Sequence, residues 1–122
     1  MAEGYVVGAS DQRPWGDWVV LDVGRGFAVK RITVVPGGVL SLQRHRHRAE
    51  VWTIVAGVAE VTLGDEVFLA SPGESVSVGV WQVHRVANRG AEDVVFIEVQ
   101  TGRRLEEGDI ERLEDDTNHR KD

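Results

Sequence analysis

Polar and apolar residues alternate along most of this chain in short runs rich in Val, Ile, Thr and aromatics, and almost nothing recurs at helical spacing. A period of two marks strands with one buried face. The pattern predicts strands at Trp18 to Val23, Phe27 to Val35, Leu40 to Arg46, Val51 to Val55, Ala59 to Leu63, Val67 to Ala70, Ser75 to Val78, His84 to Asn88 and Val94 to Gln100. Turn residues punctuate them at Gly24 and Gly26, Pro36-Gly37-Gly38, Gly57, Gly64-Asp65, Pro72-Gly73, Gly79, Gly90 and Gly102, and the Gly64-Asp65 step predicts a tight hairpin. Such regular spacing suits an all-β sandwich or closed barrel of antiparallel strands, which curls two sheets together to limit exposed edges. No repeat or linker interrupts the run, so one domain is expected over residues 1–122, with the barrel at about 13–102. From Arg103 to Asp122 the pattern changes to eight acids and five bases around Leu105, Ile110 and Leu113. That stretch reads as a docked strap and a solvated tail, with a short helix or edge strand around Asp109 to Leu113.

Composition narrows the chemistry. The 122 residues carry 14 Lys+Arg against 20 Asp+Glu, a formal charge of −6, which offers no broad cationic face for nucleic acid or anionic lipid. Neither is an expected partner. With no cysteine, disulfides, thiolate metal sites, iron-sulfur clusters and a cysteine nucleophile are excluded. No run approaches the ~20 apolar residues of a membrane span and no leader pattern opens the chain, so a cytoplasmic location is expected.

The segment Gln43-Arg44-His45-Arg46-His47-Arg48-Ala49-Glu50 concentrates polar ligand types inside a predicted strand. Alternation places residues 43, 45 and 47 on one face. Burying an amide and imidazoles costs several kcal/mol unless they are hydrogen-bonded or hold a cation. Metal binding, a solvated outer face and a hydrogen-bonded polar core all remain open, because Leu40 and Leu42 occupy the opposite parity. His119 reads as an incidental surface residue.

Two linked spacings extend this segment. Gly37, Gln43, His45, Glu50 and Gly57 fill one set of positions, and Gly73, His84 and Asn88 fill a second. Together they resemble the two motifs of the cupin superfamily, small β-barrels of the double-stranded β-helix or jelly-roll type with a metal-lined interior. Gln43 stands where a first His is frequent, Gly79 where Pro is usual, and Trp81 where Gly is usual. The resemblance implies a divalent ion held by Gln43, His45, Glu50 and His84. With nitrogen and oxygen donors the choice lies among Zn, Mn, Fe, Co and Ni. Gln43 offers only an amide oxygen, and His47 is the rival ligand if the strand register shifts.

Further stretches are similar to one branch: Arg13-Pro14-Trp15-Gly16, Val29 to Thr33, Leu40 to Gln43, Arg48-Ala49-Glu50, Ile97 to Gly102 and Asp109 to Asp115. They resemble the C-terminal cupin domain of type II phosphomannose isomerases, enzymes often fused to a mannose-1-phosphate guanylyltransferase. That resemblance implies interconversion of mannose 6-phosphate and fructose 6-phosphate. Such an exchange needs a base to remove the proton beside a carbonyl and an electrophile to stabilise the enediolate. The metal would supply the electrophile. Glu98 and His47 are the candidate bases, and Lys30, Arg13 and Arg103 the candidate contacts for phosphate or sugar hydroxyls. Departures from the branch are Val51 for a usual His, Gly79-Val80-Trp81 for a Pro-containing turn, and Thr117-Asn118-His119 for a usual Tyr-Gly-Arg ending. Trp81 is expected to narrow the cavity mouth. Those departures also suit a non-catalytic cupin that binds a sugar or small metabolite, and a metal-dependent dioxygenase is a third reading. A homodimer is expected, because small open-edged barrels associate to cover an edge or an apolar face.

Overall fold

The computed structural model describes residues 4–114. Its strands are β1 (Ser10–Arg13), β2 (Gly16–Gly24), β3 (Phe27–Val34), β4 (Leu42–Arg44), β5 (Arg48–Ala56), β6 (Ala59–Leu63), β7 (Glu66–Ala70), β8 (Ser75–Val78), β9 (His84–Ala87), β10 (Val94–Gly102) and β11 (Glu111–Glu114). There is no helix among the described residues. The strands form a six-stranded sheet, ordered β1-β2-β3-β10-β5-β8, and a five-stranded sheet, ordered β11-β4-β9-β6-β7, antiparallel throughout. The alternation predicts such an antiparallel all-β barrel, and the cupin resemblance implies its jelly-roll form.

Burial follows parity along the central strands. Val34, Ile32, Lys30 and Ala28 of β3 are buried, as are Val94, Phe96, Glu98 and Gln100 of β10 and Ile54, Trp52, Glu50 and Arg48 of β5. Register aligns them in rows: Val34 with Val94, Ile32 with Phe96 and Ile54, Lys30 with Glu98 and Trp52, Ala28 with Gln100 and Glu50. The interior therefore grades from apolar to charged along the strands. At the apolar end Ile54, Val61, Val86 and Phe96 close the space between the sheets, and the Trp52 and Phe96 rings meet at 5.3 Å. The charged end is left as a cavity.

Turn chemistry explains the connections. Leu63 pairs with Glu66 across Gly64-Asp65, and only Gly64 has positive φ (61°), so the expected hairpin is a type II′ turn. Gly57 has φ of 74°, and a Cβ there would lie 2.4 Å from the Asp93 carbonyl oxygen. Glycine is thus required where β5 turns into β6.

Two features depart from the sequence reading, and between them the stretch expected as a docked strap supplies an edge strand. β1 was not predicted: its residues are all exposed and polar, so no alternation marks it. The stretch after residue 102 returns to the barrel, with β11 pairing to β4. Most important, Leu40 to Arg46 is not one strand. Only Leu42–Arg44 is strand, and the chain bends through Arg46 and His47 before β5 begins at Arg48. The expected common face for residues 43, 45 and 47 therefore does not exist. The Asp109 carboxylate accepts hydrogen bonds from the backbone amides of Arg46 and His47, both at 2.9 Å, and holds the bend. The last residues of the expected tail, with Thr117, Asn118 and His119, lie outside the described residues.

Candidate metal centre and its cavity

His45, Glu50 and His84 are each buried, and each presents a potential ligand atom within 4.8 Å of the others. They arrive from different places. His45 comes from the bend after β4, Glu50 from the inward row of β5, and His84 from the start of β9. His45 Nε2 lies 3.4 Å from Glu50 Oε2, and His84 Nε2 lies 4.0 Å from Glu50 Oε1.

Hydrogen bonds fix both imidazole tautomers. His45 Nδ1–H donates to the Asp109 carbonyl at 2.6 Å, and His84 Nδ1–H donates to the Gln82 carbonyl at 2.8 Å. Each Nε2 then carries its lone pair toward Glu50, the arrangement metal-ligating histidines adopt. Burial first, then the Arg48 guanidinium, pushes His45 down to about 4. Burial also lowers His84. Burial alone would raise Glu50, but Arg48, the two neighbouring histidines and the Trp52 hydrogen bond together outweigh it and hold the carboxyl down to about 2. Near pH 7 the cluster is two neutral imidazoles and a carboxylate, a donor set that fits a borderline divalent ion. These three residues could hold a metal.

Gln43 lines the same cavity, in cross-strand register with His84. Its Nε2 donates to the Ser41 carbonyl at 3.2 Å and to Ser41 Oγ at 3.0 Å, so the amide oxygen is the atom left for a cation. Trp52 Nε1 donates to Glu50 Oε1 at 2.9 Å. Arg48, which the sequence reading did not single out, donates Nε–H to Glu50 Oε2 at 2.8 Å, Nη2–H to His45 Nε2 at 3.2 Å and Nη1–H to the Tyr5 hydroxyl at 3.0 Å. Metal uptake therefore competes with Arg48 for the same lone pairs.

The cavity, about 360 Å³, is lined by five bases (Arg13, Lys30, Arg48, Arg85, Arg112) and three acids (Glu50, Glu98, Glu107). Glu98 is buried opposite Lys30 on β3 and takes a 2.5 Å hydrogen bond from Gln100 Nε2. Burial, then the neighbouring Glu50 charge, pushes its carboxyl up to about 7. Lys30 is almost fully buried, pairs with Glu107 at 2.5 Å and lies over the Trp18 and Tyr5 rings at 4.1 and 4.3 Å. Burial opposes its charge, but Glu98, Tyr5 and Glu107 outweigh it and raise its pKa.

Of the candidates named from sequence, Gln43, His45, Glu50, His84, Glu98, Lys30 and Arg13 come together on this cavity. His47 and Arg103 do not. His47 lies beyond the bend, in a separate smaller cleft with Arg44, Arg46 and Trp81, and Arg103 is exposed. Trp81 likewise does not narrow the mouth. It is the third residue of the turn from Gly79 to Gln82 and has φ of 67°, where a type II turn favours Gly. That backbone carries its ring away to the guanidinium groups of Arg44 and Arg46, at 3.8 and 4.3 Å. Asn88 is a brace: its amide donates to the Val34 and Glu92 carbonyls and its oxygen accepts from the Gly90 amide. Sequence reasoning missed Tyr5, Arg48, Glu107, Asp109 and Arg112. Only Arg48 had a usable signal, its place in the inward row with Glu50 and Trp52.

A family model described as the mannose-6-phosphate isomerase C-terminal domain matches residues 4–115. The chain is 52% identical over 103 residues to the alginate biosynthesis protein AlgA of Pseudomonas aeruginosa, covering 84% of this chain and 21% of that protein. It is equally 52% identical to the xanthan biosynthesis protein XanB of Xanthomonas campestris, covering 84% and 22%. The mannose-1-phosphate guanylyltransferase of Escherichia coli is 44% identical, covering 84% and 22%. The chain thus spans about a fifth of the length of these curated relatives. Among solved structures, an uncharacterized double-stranded β-helix protein of Klebsiella pneumoniae superposes with TM-score 0.70 at 24% identity, covering 79% of this chain and 77% of the other. Oxalate decarboxylase of Lactobacillus farciminis superposes with TM-score 0.75 at 20% identity, covering 86% and 33%. Those two likenesses support the fold.

The Asp109 carboxylate fastens the bend that carries His45 and so keeps the Asp109 backbone carbonyl against the His45 ring. Asp109→Ala, which removes only the carboxylate, is expected to weaken Co(II) binding about 10- to 100-fold, read by absorbance titration. Asp109→Asn, which keeps one acceptor for the bend, loses less. An Asp109→Ala protein that folds and binds Co(II) within twofold of wild type contradicts this role.

Proposed function

The chain belongs to the mannose-6-phosphate isomerase C-terminal family, and from that premise we propose that it is a metal-dependent aldose-ketose isomerase acting on a sugar phosphate of the mannose 6-phosphate type, in the supply of precursors for nucleotide sugars and polysaccharides. The observation that carries the reading is Glu98, a buried carboxyl held near neutrality on the same cavity as the His45, Glu50 and His84 cluster. A base that works near pH 7 needs such a pKa.

His45, Glu50 and His84, with the Gln43 oxygen as a further donor, would hold one divalent ion, which would supply Lewis-acid polarisation of the sugar carbonyl. Glu98 takes the proton from the carbon beside that carbonyl, and the C–H electron pair passes into an enediolate. Glu98 then returns the proton to the former carbonyl carbon, while a proton moves between the two oxygens, so the exchange is balanced without a redox partner. Lys30 and Arg48 place fixed positive charge beside the carboxylates and so favour negative charge that grows on the sugar. Trp52 and Phe96 floor the cavity and keep water from that end. Arg13 remains a candidate contact for the substrate at the rim. His47 and Arg103, away from the cavity, have no part in this scheme.

We propose a homodimer as well, formed on the outer face of the six-stranded sheet where Val51 and Val55 of β5 are exposed. A cytoplasmic location accords with such metabolism, and no helix among the described residues is long and apolar enough to cross a membrane.

In a coupled assay converting mannose 6-phosphate to fructose 6-phosphate, Glu98→Gln is expected to lower kcat by about 10²- to 10⁴-fold with metal content unchanged. Because Glu98 acts as its carboxylate and its pKa is raised to about 7, wild-type kcat/KM should rise with pH through an acid limb near 7. A Gln variant that turns over normally removes Glu98 from the chemistry, and metal-loaded, folded protein without turnover removes the isomerase reading. Sedimentation equilibrium is expected to give twice the mass of the chain; a monomer at micromolar concentration contradicts the dimer.

A further inference from the structure

The lining of the cavity holds more bases than acids although the chain as a whole is acidic, at −6. The deep cations are spoken for: Lys30 by Glu107 at 2.5 Å and Arg48 by Glu50 at 2.8 Å. Two further arginines, Arg112 and Arg13, sit at the rim. Arg112 lies on β11 in register with Gln43 of β4, and Gln43 is in register with His84 of β9. Paired residues on adjacent antiparallel strands project from the same face, so Arg112 extends the row that carries the metal-site residues. It is exposed, lines the cavity, and has no ion-pair partner among the described residues. Arg13, the last residue of β1, lines the same cavity and has only a 3.5 Å contact with Asp11, with both side chains well exposed. Such a contact is worth little.

We propose that Arg112, with Arg13, forms the subsite for the phosphate of the substrate, at the rim of the cavity, so that the carbonyl end of the sugar points inward. This deepens the sugar-phosphate reading and rests on it. Guanidinium donors match a phosphate in forked geometry, and an unpaired arginine at a rim meets a dianion without first breaking an internal ion pair. Orientation follows from charge. The deep end already holds Glu50 and Glu98, which repel a phosphate, whereas the rim carries Arg112 and the weakly paired Arg13.

The test is calorimetric titration of the metal-loaded full chain with mannose 6-phosphate, inorganic phosphate and free mannose. Wild type is expected to bind mannose 6-phosphate in competition with inorganic phosphate, and free mannose at least tenfold more weakly. Arg112→Met should weaken mannose 6-phosphate about 10- to 100-fold and leave mannose unchanged, and Arg112→Lys, a point charge, should fall between. If Arg112→Met disturbs folding, Arg13→Met and Arg112→Lys carry the comparison. Mannose 6-phosphate bound equally by wild type and both Arg112 variants overturns the subsite. Binding that depends on Arg112 in a protein without turnover sustains the subsite and removes the isomerase reading. Turnover with an unchanged KM in Arg112→Met does the reverse.

Discussion

A carboxylate sealed inside a β-barrel must be met by positive charge, and the whole charged half of this molecule is arranged around that need at Glu50. Its side chain is almost fully buried and is engaged by the Arg48 guanidinium and the Trp52 indole N–H, with two neutral imidazole nitrogens near it. Removing one partner of such a buried pair costs several kcal/mol, because the other charge is left stranded. Burial pushes Glu98 up, the Glu50 charge adds to that, and the cations around both limit how far.

The barrel makes room for this by grading its interior. The rows that begin with Val34, Ile54 and Val94 close one end with packed hydrocarbon, and four residues away on the same strands Lys30, Glu50 and Glu98 point inward. The strap after β10 completes the charged end. Glu106 offers its carbonyl to Arg48, Glu107 pairs with Lys30, Asp109 fastens the bend and His45, and β11 adds Arg112 to the rim. The fold is shared with an oxalate decarboxylase, so a barrel of this kind does not fix the chemistry, which lies in these side chains.

The all-β fold and most of the metal cluster were legible because both depend on short-range patterns. Alternation marks strands, and the spacing of Gln43, His45, Glu50 and His84 marks the motif whichever face the strand presents. The strand-face argument itself failed at His45 and His47, because the bend is enforced from far along the chain: Asp109 is 62 residues from His47. Lys30 and Glu107, 77 residues apart, illustrate the same limit. Neither Asp109 nor Glu107 lies in an alternating run, so nothing local announced them. Trp81 misled for another reason. Its bulk suggested an obstruction, but a positive φ at the third turn position sends the ring to Arg44 and Arg46 instead.

The most direct test of the account is a crystal structure of the protein grown with excess Zn(II) or Mn(II), with anomalous data collected at the metal edge. The account predicts one peak bonded at about 2.0–2.2 Å to His45 Nε2, His84 Nε2 and a Glu50 oxygen. An empty cluster under saturating metal, or an ion bound elsewhere while the three side chains stay apart, would contradict it.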